Sequence, residues 1–151
     1  MKLKALMGCG DKIMLFSLPF IAVGVFLNVM MPALFGVGGP RAALKWVAVA
    51  VLIMGLAIWA WSVALLLANI PRNKLITSGP YAIVKHPLYT NMALFVLPAA
   101  GVLFNSWLGL AVGAALYAGA RLFSREEEKT LSQAFGEQWN AYAASVRIPW
   151  L

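Results

Sequence analysis

The sequence is poor in the residues that usually carry soluble chemistry. It has 151 residues, one cysteine (Cys9), one histidine (His86) and only 11% charged residues, where a soluble domain carries roughly 25%. A single cysteine excludes a disulfide within the chain and argues against a cysteine-ligated metal site, so no metal is expected. Acids are scarcer than bases, five against 12, for a formal charge of +7. In a soluble protein that balance would raise the question of nucleic acid. Here the cations flank apolar segments, so membrane topology accounts for them and no nucleic-acid partner is expected. There is no internal repeat and no low-complexity tract.

What is abundant is hydrophobic sequence, 62% of the chain. A domain this small has too little interior to hide it. The reading is a single membrane-embedded domain over residues 1–151, an all-α polytopic helical bundle. Apolar runs long enough to cross a bilayer, about 20 residues in the ideal case, fall at 13–35, 43–70, 88–104 and 107–123. The first exceeds the core of a secretory signal, about 7–15 residues, and no cleavage pattern follows it, so it reads as a retained span. Leu6-Met7-Gly8-Cys9 resembles a lipidation site only superficially, because no apolar run precedes it. Pro98 inside the third span should kink it or interrupt its hydrogen bonds. Asn105-Ser106 makes a short turn, and Gly109, Gly113 and Gly119 in the fourth span permit close helix packing.

The tail, 124–151, holds four of the five acids. Ser124-Arg125-Glu126-Glu127 has the spacing of a capping box. Leu131, Phe135, Trp139 and Tyr142 then fall on one helical stripe. This predicts a C-terminal amphipathic helix on the membrane surface or folded against the bundle, or else an extension of the fourth span. With the N-terminus in the cytoplasm, ten of the 12 cations fall inside and only Arg41 and Lys45 outside. That bias fits the positive-inside rule and puts the loop 71–87 and the tail in the cytoplasm.

The loop holds Gly79-Pro80-Tyr81 and Lys85-His86-Pro87-Leu88-Tyr89. Gly79-Pro80 is either a plain turn or a place where the backbone approaches a ligand closely. His86 is either an interfacial polar anchor or, with Lys85 and Tyr89, part of a cationic pocket lip suited to a carboxylate or phosphate. Glu126 reads as decoration of a helix start, where the dipole favours acids. Glu127 lies toward the apolar stripe, and a carboxylate there is costly unless paired. A pocket with cations in the loop and acids in the tail would suit a zwitterionic ligand, although separate salt bridges would use the same residues.

Taken in order, these pieces, with Phe135-Gly136 and Val146-Arg147-Ile148-Pro149, resemble the isoprenylcysteine carboxyl methyltransferase family and its phospholipid methyltransferase relatives. The resemblance covers about residues 70–150; the first half is similar only as apolar spans. Lys85 stands where the family pattern has arginine, so charge is kept but the bidentate fork is lost. Asn91 stands where it has glycine. The resemblance implies an integral membrane, S-adenosylmethionine-dependent methyltransferase. In it, Lys85, His86 and Tyr89 contact the cofactor's amino-acid part, and Gly79, Pro80 and Tyr81 line its cavity. Glu127 and Glu128 bind its ammonium or ribose hydroxyls or order the site, and Arg147 orients an acidic acceptor or the cofactor carboxylate. The catalytic assignments are thus Glu127 and Arg147. A lipophilic acceptor would arrive from the bilayer, and membrane lipids would surround the protein. The compact bundle suits a prokaryotic plasma membrane. The competing readings are a nicotinamide-dependent membrane reductase of the sterol reductase type and a non-catalytic small membrane subunit.

Overall fold

The computed structural model describes residues 10–38 and 41–149; Cys9, Lys2 and Lys4 lie outside them. Among the described residues every regular element is helical: α1 (Gly10–Met30), α2 (Pro32–Phe35), α3 (Arg41–Asn69), α4 (Pro87–Leu103), α5 (Leu108–Phe135) and α6 (Glu137–Ser145). Single-turn 3-10 helices at Ile70–Arg72 and Gly79–Ala82 punctuate the loop between α3 and α4.

The first apolar run is not one continuous helix. Met31 leaves the helical region (φ −134, ψ 56) and α2 restarts at Pro32. The ring of a proline disfavours helical geometry in the residue before it, which accounts for the break. In α4 the effect of Pro98 is absorbed upstream. Met92–Val96 form a π turn in which the Leu97 N–H bonds the Met92 carbonyl, a widened turn that accommodates the missing donor.

The largest departure from expectation is at 123–136. There is no helix start at Ser124: the residue is buried within α5, which runs unbroken for 28 residues from Leu108 to Phe135. The capping-box reading is therefore corrected, and the fourth apolar run extends into the acidic segment. The tail stripe is split between two helices, because Gly136 adopts φ +54 and ends α5. Trp139, Tyr142 and Val146 nevertheless bury together against Leu75, Leu131 and Phe135.

α1 and α3 are long and apolar enough to cross a membrane. Their inward stripes are narrow and small: Ile13, Ser17 and Gly24 on α1, and Ala48, Gly55 and Ser62, spaced seven apart, on α3. Most of the remaining surface, including Leu15, Phe26, Trp46 and Ile53, is exposed and apolar. Patches of that extent are rare on a soluble monomer and mark a membrane or protein contact surface. Ser17 and Ser62 donate their hydroxyls to the Ile13 and Ile58 carbonyls one turn back, so the polar atoms in these stripes are satisfied within their own helices.

α4 and α5 form a hairpin across Asn105, which takes φ +55, and Ser106, whose hydroxyl accepts from the Leu108 N–H at 3.3 Å. The helices touch at backbone distance: a Cβ on Gly109 would lie 2.5 Å from the Leu97 carbonyl oxygen and 2.6 Å from Gly101 Cα. Only glycine allows this approach. α1 packs along α5, with Ile13 buried against Ala120, Leu116, Phe123 and Tyr89. This places the ends of α3 and α5, the start of α4, α6 and the 71–87 loop together at one end of the bundle.

Candidate functional site

At that end a cleft of about 680 Å³, counted out to its open mouth, is lined by Tyr81, Lys85, His86, Tyr89, Glu127, Tyr142 and a mostly apolar wall including Leu66, Leu75, Leu131, Phe135 and Trp139. Its mixture is that of a small-molecule site, apolar walls with a few convergent polar groups. It joins segments about forty positions apart. The Lys85 ammonium lies 3.4 Å from one oxygen of Glu128 and His86 Nε2 lies 3.3 Å from the other. Local folding explains the geometry. Pro87 starts α4 and is fully buried, which fixes the backbone of Lys85 and His86. The continuation of α5 past Phe123 then carries Glu127 and Glu128 opposite them.

The two glutamates occupy different positions. Glu127 lines the cleft, whereas Glu128 is taken up by Lys85 and His86. The hydrogen bond with His86, helped by the Lys85 charge and opposed by partial burial, holds the Glu128 carboxyl below the usual carboxylate range. Glu126 is not at a helix start. It lies mid-helix on the exposed side, paired with Lys12 of α1. That contact is tethering rather than end decoration, and sequence reasoning missed it because the partners are 114 positions apart.

Tyr81 is nine-tenths buried. Burial, then the nearby Glu127 charge, pushes its phenol up to about 12, so it is a neutral donor at any ordinary pH. Its hydroxyl points to the Ser62 carbonyl at 3.5 Å, and its own carbonyl accepts from the Tyr142 hydroxyl at 2.9 Å. Burial and the neighbouring Tyr81 and Glu128 raise the Tyr142 phenol as well. The tail is stitched to the loop by two backbone bonds, Arg147 N–H to the Ala82 carbonyl at 3.4 Å and Ile148 N–H to the Ile83 carbonyl at 2.9 Å.

The structure does not bring every candidate to the cleft. Gly79 (φ +62) and Pro80 are not in its wall. A Cβ on Gly79 would meet Leu65 and Trp61 of α3 at 3.0 Å, so its close approach is to that helix. Arg147 is exposed and outside the lining; its backbone, not its guanidinium, is engaged there. Lys74 does line the cleft and was not singled out from the sequence, although it shares the loop and the charge of Lys85. Asn91 is buried, donating from Nδ2 to the Gly55 carbonyl at 2.7 Å, with Oδ1 unpartnered. It ties α4 to α3 and does not enter the cleft wall. Among the described residues no cluster of three or more metal-ligating side chains occurs.

The model of the isoprenylcysteine carboxyl methyltransferase family matches residues 42–133. The matched region takes in α3, beyond the resemblance read from motifs, and includes Lys85, His86, Tyr89, Glu127 and Glu128. It stops before α6 and Arg147. No curated protein and no solved structure matches the chain.

Proposed function

The chain belongs to the isoprenylcysteine carboxyl methyltransferase family, and on that premise we propose that the cleft binds S-adenosylmethionine and serves methyl transfer to a lipophilic acceptor. The observation that carries this is the meeting of Lys85, His86 and Tyr89 with Glu127 across one cleft. The donor set fits the group: cations for its carboxylate, a carboxylate for its ammonium or ribose hydroxyls, and aromatic and aliphatic surface for its base. When bound, it supplies an electrophilic methyl on a sulfonium sulfur.

The residues have distinct tasks on this reading. Glu127 faces the ligand, and Lys85, His86 and Tyr89 hold its amino-acid end. Glu128 is a positioning residue that keeps Lys85 and His86 in place and offsets the Lys85 charge. Tyr81 and Tyr142 brace the wall through their hydroxyl and carbonyl bonds. Methyl transfer is a direct displacement that needs alignment of nucleophile, methyl and sulfur more than an added base, with reacting atoms about 3–3.5 Å apart. Gly79 and Pro80 contribute by seating the loop on α3. Arg147 lies outside the cleft lining. Its backbone pins the tail, and a role in orienting an acidic acceptor requires its side chain to turn inward.

We read the protein as integral to the membrane, with four crossings by α1, α3, α4 and the first half of α5. The cleft then faces the cytoplasm and the acceptor, a prenylated cysteine carboxylate or another lipid, arrives laterally. The test is calorimetry with S-adenosylmethionine on detergent-purified protein. His86→Ala and Glu127→Ala should each weaken binding by about tenfold or more, equivalent to about 1.4 kcal/mol, while helix content is retained. Unchanged affinity in both variants removes the assignment. Incubation with labelled cofactor and a lipid extract would identify the acceptor.

A further inference from the structure

The opposite end of the bundle holds a second kind of site. Between the first turn of α3 and the last turn of α4 lies a recess of about 570 Å³ whose polar wall is Arg41, Lys45 and Asn105. Arg41 and Lys45 stand one turn apart on the same face of α3, and the first turn of that helix contains no acid. All five carboxylates of the chain (Asp11, Glu126, Glu127, Glu128 and Glu137) belong to the other end. Among the described residues the two cations therefore have no acidic side chain in the recess wall, and the field of the α3 N-terminus adds to theirs.

Phe104 closes this recess on one side and is also in the wall of a larger apolar groove of about 860 Å³ between α1, α4 and α5. That groove is lined by Val25, Val29, Leu97, Leu108 and Val112, among others. A cationic recess and an apolar groove that share one aromatic wall match a single amphipathic molecule with an anionic head and a hydrocarbon chain.

We propose that this end binds an anionic phospholipid, its phosphate between Arg41 and Lys45 and one acyl chain in the groove behind Phe104. The site is separate from the cleft and stands whether or not the cleft binds S-adenosylmethionine. Charge complementarity selects the occupant: the recess offers two cations and no acceptor charge, and a bilayer presents phosphates at the depth where the apolar run of α3 begins.

The experiment is calorimetric titration of the full chain, in non-ionic detergent, with phosphatidylglycerol, phosphatidylcholine and inorganic phosphate. Phosphatidylglycerol should bind the native protein and bind the Arg41→Gln/Lys45→Gln variant roughly thirtyfold more weakly, the factor for two cations against an anionic headgroup. Both residues are exposed, so the variant should keep its helix content, checked by circular dichroism. Lys129→Gln, at the other end, should leave lipid binding unchanged. Ala100→Phe, which narrows the groove, should weaken the lipid without affecting the cations. Equal lipid affinity in native and double-variant protein overturns the proposal. So does phosphatidylcholine binding as tightly as phosphatidylglycerol. Inorganic phosphate binding as tightly as the lipid overturns it too, since a free anion would then be the source.

Discussion

The two ends of this bundle carry positive charge under opposite conditions. At the cleft, Lys85 and His86 face a carboxylate they share, and Lys12 has Glu126. At the far end, Arg41 and Lys45 line a recess with no carboxylate among its described lining residues. The same residue type therefore means different things. Paired cations are locked in place and can shape a pocket, whereas uncompensated ones attract an anion from outside. Tally rules such as positive-inside count both alike, and only the three-dimensional placement of the five acids separates them.

The largest effect should come from erasing both ends at once. Gly109→Leu drives a side chain into the Leu97 carbonyl and Gly101, splaying the hairpin that fixes both recesses. A loss on the order of 3 kcal/mol is expected, read as a fall in melting temperature together with loss of ligand binding at each end. Survival of both sites would mean the hairpin is not what holds them.

Breaking one end alone comes next. Glu128→Gln keeps the shape but removes the shared charge, and S-adenosylmethionine affinity should fall about tenfold with phosphatidylglycerol binding untouched. The pH dependence has a definite sign. The Glu128 carboxyl is depressed in the folded protein, so its stabilising contribution is complete above the ordinary carboxylate value, about 4.3, and disappears as pH falls through the depressed one. Melting temperature should drop over that acidic window in the native protein and less so in the Gln variant.

A smaller effect sharpens the contrast within the cleft. A Cβ on Gly10 would sit 3.0 Å from the Tyr89 hydroxyl, so Gly10→Val should displace that ring and weaken cofactor binding about threefold, short of the tenfold step worth 1.4 kcal/mol. Tyr89→Phe removes the atom that is struck. In that background Gly10→Val should have no further effect, and an undiminished loss would show that the crowding acts elsewhere.

Much of this was legible in the sequence, for reasons that differ by residue. Apolar run length gave α3 nearly to the residue, and the local sequence at Pro87 and Tyr89 marked the site loop. The glutamates were visible as a cluster, but their division of labour was not. Helical phase placed Glu127 toward the stripe, yet only the position of α4 shows that Glu128 meets Lys85 and His86. The capping-box spacing at Ser124 misled because a cap needs a chain that leaves the helix, and the apolar packing of Ala120 and Ser124 gives α5 no reason to end there. Gly79 misled in another way. It does permit a close backbone approach, at φ +62, but the surface approached is α3 rather than a ligand. The Lys12–Glu126 pair and the Arg41–Lys45 recess were out of reach, since each depends on elements whose mutual placement no local pattern encodes.

The uninterrupted α5 has a mechanical consequence. Its 28 residues form a stiff rod about 42 Å long, rooted at the hairpin turn and ending beside the cleft. On the four-crossing reading proposed above, a bilayer a few ångströms thinner or thicker than the rod's apolar portion is met in part by tilting it, which would raise or lower Glu127 against Lys85 and His86. Host-lipid chain length thereby becomes a gauge for the spacing of the pocket.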